Sequence, residues 1–156
     1  MSIPTTKIPD LTVQIIESGE KKEISTTELF KGKTILFGLP GAFTPTCSQI
    51  QLPSFVTHEK NLREKGYEKI ICMAVNDAFV MQAWKEQIAP NADIIMLADG
   101  SAALTKALNL GLDLTEKHMG FRCTRFLLVL ENSEILKANI EKNPGTCEIS
   151  GANSLL

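Results

Sequence analysis

Short apolar runs recur along the chain, and each is bounded by polar or turn-forming residues. The runs fall at residues 34–39, 69–75, 94–98 and 126–130. Continuous apolar runs of this length are typical of strands that are buried on both faces of a sheet. We therefore predict four buried strands.

The segments between these runs carry apolar side chains at helical spacing. Residues 47–65 form a predicted helix with a kink at Pro53, because proline has no N–H group to donate within a helix. A second helix follows the sequence VND, and a third, shorter helix ends near Gly111. Side chains that can accept from first-turn N–H groups precede both of the later helices: Asn76 or Asp77 for the second, and Asp99 or Ser101 for the third.

Residues 135–141 alternate apolar and polar side chains instead of forming a continuous run. The apolar row is Leu136, Ala138 and Ile140, and the polar row is Lys137, Asn139 and Glu141. The alternation predicts a strand with one buried and one polar face, joined to the strand before it by a turn. Strand–helix alternation that ends in a hairpin predicts an α/β domain with a mixed central sheet flanked by helices. The thioredoxin-like fold is one member of this class, and the pattern alone does not select it.

Composition and charge narrow the functional classes. The chain has 156 residues, 44% hydrophobic and 22% charged, which suits one globular domain over residues 1–156. Its 16 basic and 18 acidic side chains give a net charge of −2, with no basic stripe to favour nucleic acid or an anionic membrane. Residues 1–10 have neither an apolar secretory core nor an arginine-rich transit character. We expect a soluble, cytoplasmic protein, with a processed organellar form as the alternative.

The cysteines and histidines predict no cofactor or metal. Four cysteines, with no CxxC pair, are too few and too scattered for a disulfide-rich scaffold or a zinc knuckle. Neither His58 nor His118 has a partner at the spacing of a metal site or a Cys–His hydrolase. Any cysteine chemistry is therefore expected from single or distant thiols: Cys47, Cys72, Cys123 and Cys147.

One of these thiols follows an unusual loop, GLPGAFTPTCSQ, at residues 38–49. We predict a helix start here, with Thr44 as N-cap, Pro45 as the first helical residue and Cys47 as the third. The Cys47 sulfur would then lie beside free backbone N–H groups and the positive end of the helix dipole, and both favour a thiolate. A small buried cysteine after a loop is the alternative interpretation, and local sequence does not decide between the two.

Longer stretches of the chain decide in favour of a reactive thiol. Pro40, Thr44 and Cys47 match the pattern PxxxTxxC of the peroxiredoxin active-site loop. ELFKGKTILFGLPGAFTPTCSQIQLPSF, VNDAFVMQAWKE, LADGSAALTKALNLGLDL and RCTRFLLVLENSEI continue the match in register. The chain resembles the atypical, type II peroxiredoxins, which include mammalian peroxiredoxin five and plant and bacterial type II enzymes. The resemblance implies a thioredoxin-like fold and an antioxidant, thiol-dependent peroxidase without a cofactor.

The resemblance also implies a role for each matching residue. Cys47 would be the peroxidatic cysteine, which attacks a hydroperoxide and becomes a sulfenic acid. Pro40 would shield the sulfur, and the Thr44 hydroxyl would bond the thiolate or the peroxide. Arg125 would stabilise the thiolate and the charge that develops on the peroxide oxygens. The implied substrate-binding positions are Thr46 and Gly41.

The step that follows oxidation is open at the sequence level. Cys147 matches the resolving cysteine of the mammalian-like members, so the preferred expectation is an intramolecular Cys47–Cys147 disulfide that thioredoxin reduces. Cys123 is an alternative resolving thiol, because an extended chain projects it to the same face as Arg125. Direct reduction of oxidised Cys47 by glutathione or glutaredoxin is the third possibility. Cys72 is expected to be inert packing.

The resemblance suggests a homodimer with the loops around Cys47 near its interface. A rival from another class is a peroxide sensor or regulatory protein, in which Cys47 oxidation signals through disulfide exchange and turnover is incidental.

Overall fold

A computed structural model describes residues 2–156 of the chain. Nine strands are assigned: β1 (Thr12–Glu17), β2 (Glu20–Ser25), β3 (Lys33–Gly38), β4 (Lys69–Ala74), β5 (Ile95–Ala98), β6 (Gly111–Leu114), β7 (Gly120–Cys123), β8 (Phe126–Glu131) and β9 (Glu134–Ile140). The α-helices are α1 (Thr26–Leu29), α2 (Leu52–Thr57), α3 (Glu59–Glu64), α4 (Ala78–Ile88) and α5 (Ala103–Ala107). A π-helical turn covers Cys47–Gln51, and 3₁₀ turns cover Thr115–Lys117 and Ala152–Leu155. Within residues 2–156, no helix is long and apolar enough to cross a membrane.

Seven strands form one sheet in the order β2-β1-β5-β4-β3-β8-β9. The three central strands β5, β4 and β3 are parallel, while β1, β2, β8 and β9 pair antiparallel with their neighbours. β6 and β7 form a separate two-stranded hairpin. The mixed sheet of the predicted α/β, thioredoxin-like fold is confirmed, with each predicted apolar run lying in a strand of it.

Helices cover both faces of the sheet, and this explains the continuous apolar runs. On β3, Ile35 and Phe37 face one core while Leu36 faces the other. The first core receives α2, α3 and α4 through Leu52, Leu62 and Trp84. The second receives α1 and α5 through Leu29 and Leu104. Both rows of side chains on a central strand are therefore buried, as parallel strands require.

The pattern of apolar runs missed two hairpins. β2 reads EKKEIS and is almost fully exposed, because it is the edge of the sheet and its charges keep that edge in water. β6 and β7 have four residues each and lie outside the main sheet, so neither presents a continuous apolar run.

The expectation of one buried face on residues 135–141 is wrong. Leu136 is 56% exposed and Ala138 is exposed, whereas Glu141, assigned to the polar face, is 5% exposed. β9 is the other edge strand, and a register shift between Val129 and Leu130 breaks its alternation against β8. Glu141 follows the end of β9, where its side chain turns inward to bond backbone N–H groups.

The helix begins at Pro45, as the cap and proline rules predict, two residues before the range 47–65 that the apolar pattern gave, and it is interrupted twice. Pro45 and Thr46 are helical, and the Leu52 N–H then bonds the Cys47 carbonyl five residues back, which defines the π turn. The predicted irregularity near Pro53 is thus present as a widened turn just before it. Pro53 has no N–H group to donate, so the helix loses one i→i−4 hydrogen bond at this point and can adopt the i→i−5 bond of the π turn. The helix breaks again at His58.

Of the cap candidates, Asp77 accepts from the Val80 N–H and caps α4. Asp99 caps α5 from a distance, since its carboxylate accepts from the N–H groups of Leu104 and Thr105.

Candidate active site

The loop that leaves β3 is held in place by backbone and side-chain bonds. The Leu39 N–H donates to the Met73 carbonyl at 3.1 Å, and Asn76 accepts from the Ala42 N–H at 3.0 Å. Phe43 has a positive φ of 66°, which turns the chain toward the helix start. The loop is therefore a fixed connection between the carboxyl end of a central strand and the helix that carries Cys47.

Thr44 occupies the predicted N-cap position, because its carbonyl accepts from the Ser48 N–H at 2.9 Å. Its hydroxyl does not bond a helix N–H or Cys47. It donates to the Gly41 carbonyl at 2.7 Å and closes the loop on itself. Thr46 donates its hydroxyl to the Gly145 carbonyl at 3.1 Å, which ties the helix start to a distant segment.

Cys47 is fully buried, and a guanidinium is the charged group beside it. Arg125 Nη1 lies 3.3 Å from Cys47 Sγ. Arg125 is itself only 2% exposed, and a buried cation needs hydrogen-bond partners. It also donates to Gln51 Oε1 at 2.7 Å and to the Pro144 carbonyl at 3.0 Å. These bonds hold a fixed positive charge against the sulfur, and positive charge stabilises a thiolate relative to a thiol.

Gln51 is a site residue that the sequence reasoning missed. Besides accepting from Arg125, its amide nitrogen lies 3.3–3.4 Å from three backbone carbonyls, those of Gly38, Phe126 and Ser150. The carbonyls belong to β3, β8 and the C-terminal segment, which we define as residues 141–151. One buried amide thus joins three segments and orients the guanidinium. The neighbouring Ser48, Gln49 and Ser54 are also polar, so the local sequence gives no signal that singles out Gln51.

The C-terminal segment packs against this helix and carries Cys147. Cys147 is half-buried, and its Sγ lies 3.7 Å from Ser150 Oγ. Burial raises the pKa of the Cys147 thiol above its ordinary value of 9.0. A Cβ placed on Gly151 would be 3.3 Å from Cys147 Sγ and 3.4 Å from Ser54 Oγ, so the thiol lies beside α2. All four cysteines are free.

Cys72 and Cys123 are both fully buried. Desolvation raises the pKa of Cys72 well above 9.0 and that of Cys123 to about 12. The Cys123 thiol also donates to the Leu39 carbonyl at 3.1 Å. Cys123 and Cys47 belong to cores on opposite faces of the sheet. The sequence placed Cys123 on the same face of an extended chain as Arg125. In the structure Cys123 is buried in the core on the other side of the sheet from Cys47.

An opening of about 230 Å³, here called the entrance cavity, leads toward Arg125. Four of the sequence-predicted residues line it: Pro40, Thr44, Thr46 and Arg125. Gly41 is buried behind Thr44, and a Cβ at this glycine would meet the Arg122 Nη1 at 3.1 Å. Cys147 does not line the cavity.

Trp84 contacts the helix start from the neighbouring helix α4. It is fully buried and donates its indole N–H to the hydroxyl of Ser48, the residue after Cys47, at 2.9 Å.

Among residues 2–156, no group of three His, Cys, Asp or Glu side chains is arranged to hold a metal ion.

Comparison with known proteins identifies the family. The redoxin family model matches residues 4–156. Peroxiredoxin-2D of Arabidopsis thaliana is 41% identical over 151 residues, which cover 96% of this chain and 93% of that protein. The chloroplastic peroxiredoxin-2E-2 of Oryza sativa subsp. japonica is 42% identical, over 96% of this chain and 69% of that protein.

Among solved structures, reduced Prx3 of Vibrio vulnificus in complex with H₂O₂ is 36% identical, with a TM-score of 0.90 over 99% of this chain and 97% of that one. The family match and the fold thus agree. The chain belongs to the peroxiredoxins of the redoxin family, and it is a thiol-dependent peroxidase.

Proposed function

We propose that Cys47 is the peroxidatic cysteine and that Arg125 is its electrostatic partner. The observation that carries this assignment is the 3.3 Å contact between a buried Cys47 Sγ and Nη1 of Arg125, which lines the entrance cavity, although Cys47 itself does not. In the reaction, the Cys47 thiolate attacks the distal oxygen of a hydroperoxide. An S–O bond forms as the O–O bond breaks, the sulfur is oxidised to a sulfenic acid, and the departing oxygen takes a proton to give an alcohol or water.

The other cavity residues have supporting roles in this proposal. Arg125 stabilises the negative charge that develops on the peroxide oxygens, and its bonds to Gln51 and Pro144 keep it oriented for this. Pro40 shields the sulfur from bulk water. Thr44 lines the cavity, and rotation of its hydroxyl away from Gly41 directs the O–H group to the peroxide. The backbone N–H of Thr46 and the Gly41 turn complete the substrate site.

We propose that Cys147 resolves the sulfenic acid. Its thiolate attacks the Cys47 sulfur, an S–S bond forms, and the sulfenic oxygen leaves as water; a thioredoxin-type dithiol then reduces the disulfide. The support is that the C-terminal segment is bonded to the Cys47 helix through Thr46–Gly145 and Gln51–Ser150. Because the Cys147 thiol lies beside Ser54 and Cys47 is buried, both the helix start and the segment must rearrange before the sulfurs meet.

A peroxidase assay on four proteins tests both assignments. Wild type, Cys47→Ser, Cys147→Ser and Cys123→Ser are supplied with hydrogen peroxide and either thioredoxin or glutathione with glutaredoxin. We expect no turnover from Cys47→Ser, loss of the thioredoxin-linked activity from Cys147→Ser, and near wild-type activity from Cys123→Ser. Mass spectrometry of peroxide-treated wild type should detect a Cys47–Cys147 peptide.

Each opposite result has a specific meaning. Activity that survives in Cys47→Ser removes the peroxidatic assignment. Full thioredoxin-linked activity in Cys147→Ser, without the cross-linked peptide, assigns resolution to an external thiol such as glutathione. A single oxidation without turnover under either reductant favours a peroxide sensor.

We also propose a cytoplasmic homodimer. The support is the exposure of two large apolar side chains, Phe43 at 48% and Phe121 at 43%, which an interface between two copies would bury. Light scattering coupled to size exclusion tests the dimer, and imaging of the tagged full-length protein tests the location.

A further inference from the structure

The entrance cavity is much larger than hydrogen peroxide requires. Its volume is about 230 Å³, whereas one water-sized molecule needs roughly 10–15 Å³ by the same kind of measure. Hydrogen peroxide, at about twice the size of water, leaves most of this space unfilled. The remaining space suits an organic group attached to the hydroperoxide.

The outer wall of the cavity is apolar and comes from the β6–β7 hairpin. Leu112 and Leu114 of β6 line it together with Met119, the residue before β7. A hydrocarbon chain buried against these side chains gains roughly 25 cal/mol per Å² of apolar surface removed from water. The hairpin thus offers a binding surface for an apolar substituent and nothing for a small polar peroxide.

A second cation, Lys117, lines this cavity in addition to Arg125. It belongs to the exposed 3₁₀ turn Thr115–Lys117 that joins the two strands of the hairpin. In the part of the chain that the structure describes, no carboxylate lies within 4.0 Å of the Lys117 ammonium. The nearest acidic residues along the chain, Asp113 of β6 and Glu116 of the turn, do not line the cavity, and Asp113 accepts from Thr115.

The two cations therefore differ in availability. Arg125 is hydrogen-bonded to Cys47, Gln51 and Pro144, so its charge is fixed where the hydroperoxide group of a substrate would react. Lys117 has no partner of its own and is exposed beside an apolar wall. We propose that Lys117 selects, among organic hydroperoxides, those that carry a carboxylate.

The proposal rests on the peroxidatic role of Cys47 and adds no chemical step to it. The hydroperoxide group lies toward Cys47 and Arg125, the hydrocarbon chain contacts Leu112, Leu114 and Met119, and the carboxylate pairs with Lys117. The products are the corresponding hydroxy acid and the Cys47 sulfenic acid. The carboxylate is unchanged, so its contribution is to binding and appears in kcat/KM.

The test compares a hydroperoxide of linoleic acid with its methyl ester, which has the same chain and no charge. The measured quantity is the ratio of kcat/KM for the acid to kcat/KM for the ester. An exposed ion pair contributes about 0.2–1 kcal/mol, so Lys117→Met should lower the ratio by about 1.5- to 5-fold. Lys117→Arg should preserve it. Raising the ionic strength from about 20 mM to about 0.5 M should lower it in wild type and not in Lys117→Met.

Lys60→Met is the matched control, because Lys60 is an exposed lysine of α3 that does not line the cavity. The proposal is wrong if Lys117→Met leaves the ratio at its wild-type value, or if Lys60→Met lowers it equally. Failure of the underlying function is recognised separately: a wild-type protein that turns over neither lipid hydroperoxide nor hydrogen peroxide contradicts the role of Cys47, whatever the ratio at Lys117.

Discussion

Replacing Glu141 by glutamine tests how the C-terminal segment is attached to the active site. Glu141 Oε2 accepts from the N–H groups of Glu148 at 3.0 Å, Ile149 at 2.8 Å and Ser150 at 2.8 Å. It also accepts from Ser150 Oγ at 2.6 Å. This single carboxylate oxygen therefore shapes the turn that holds Cys147 beside α2, and the Ser150 carbonyl in the same turn bonds Gln51.

The expected cost follows from the charge on this oxygen. A hydrogen bond to a charged group contributes about 1.5–3 kcal/mol, and a neutral one about half of that. The four bonds share one acceptor and are not additive. Glutamine keeps an acceptor of nearly the same shape and loses the charge. Each bond then loses about 0.75–1.5 kcal/mol. Because the four bonds are coupled, we count the equivalent of about two of them, and we expect Glu141→Gln to lower the free energy of opening the segment by about 1.5–3 kcal/mol, with no change in the rest of the fold.

Amide hydrogen exchange measures this opening directly. A loss of about 1.5–3 kcal/mol corresponds to exchange that is roughly 10- to 150-fold faster at residues 148–150. Glu131→Gln is the matched control, because Glu131 is an exposed carboxylate at the end of β8. A looser segment should also form the Cys47–Cys147 disulfide faster after peroxide treatment. Exchange at residues 148–150 that stays within about twofold of wild type in Glu141→Gln would refute this reasoning.

Three further changes test other parts of the molecule. Arg125→Met should lower kcat/KM for hydrogen peroxide by about 100-fold or more in a steady-state assay, because a preorganised charge at the reacting atoms is lost; a drop of less than about threefold contradicts its role. Gly38→Ala should lower the free energy of unfolding in urea by about 1–3 kcal/mol, since the new Cβ would lie 2.1 Å from a ring carbon of Phe126; an unchanged midpoint means that the ring moves aside at no cost. Burial raises the pKa of Cys123 from 9.0 to about 12, so the folded state keeps a proton that the unfolded state releases. The stability that this group contributes is complete below pH 9.0 and is lost as the pH rises toward 12. Cys123→Ala should therefore flatten the decline of the urea midpoint between about pH 8 and about pH 10.5. An equally steep decline in the variant contradicts the assignment.

The sequence predicted the parts of the fold that depend on local apolar pattern. Each continuous run became a strand with both rows of side chains buried, because helices cover both faces of the sheet. Residues 135–141 were misread because an edge strand with a register shift has no neighbour on one side to enforce its alternation. The helix start at Pro45 followed from cap and proline rules, which act over a few residues.

The polar contacts of the site were less accessible to sequence reasoning. Gln51 and Glu141 bond backbone groups from segments that meet only in the folded chain, and no local pattern marks which carbonyl or N–H group will be nearby. Arg125 would have been interpreted as an exposed strand-end residue without the family resemblance, whereas it is almost fully buried. The Thr44 hydroxyl bonds the Gly41 carbonyl in this structure, so the predicted bond to the thiolate or peroxide requires the hydroxyl to rotate, which the sequence did not indicate.

The bond between Trp84 and Ser48 gives this enzyme an optical signal of its own redox state. Trp84 is the chain's one tryptophan, so the whole indole emission of the protein comes from a ring attached to the residue beside Cys47. If Cys47 and Cys147 join as proposed, the helix start must unwind, which should break that bond and admit water to the ring. Stopped-flow fluorescence excited at the indole band should therefore time disulfide closure in unlabelled protein.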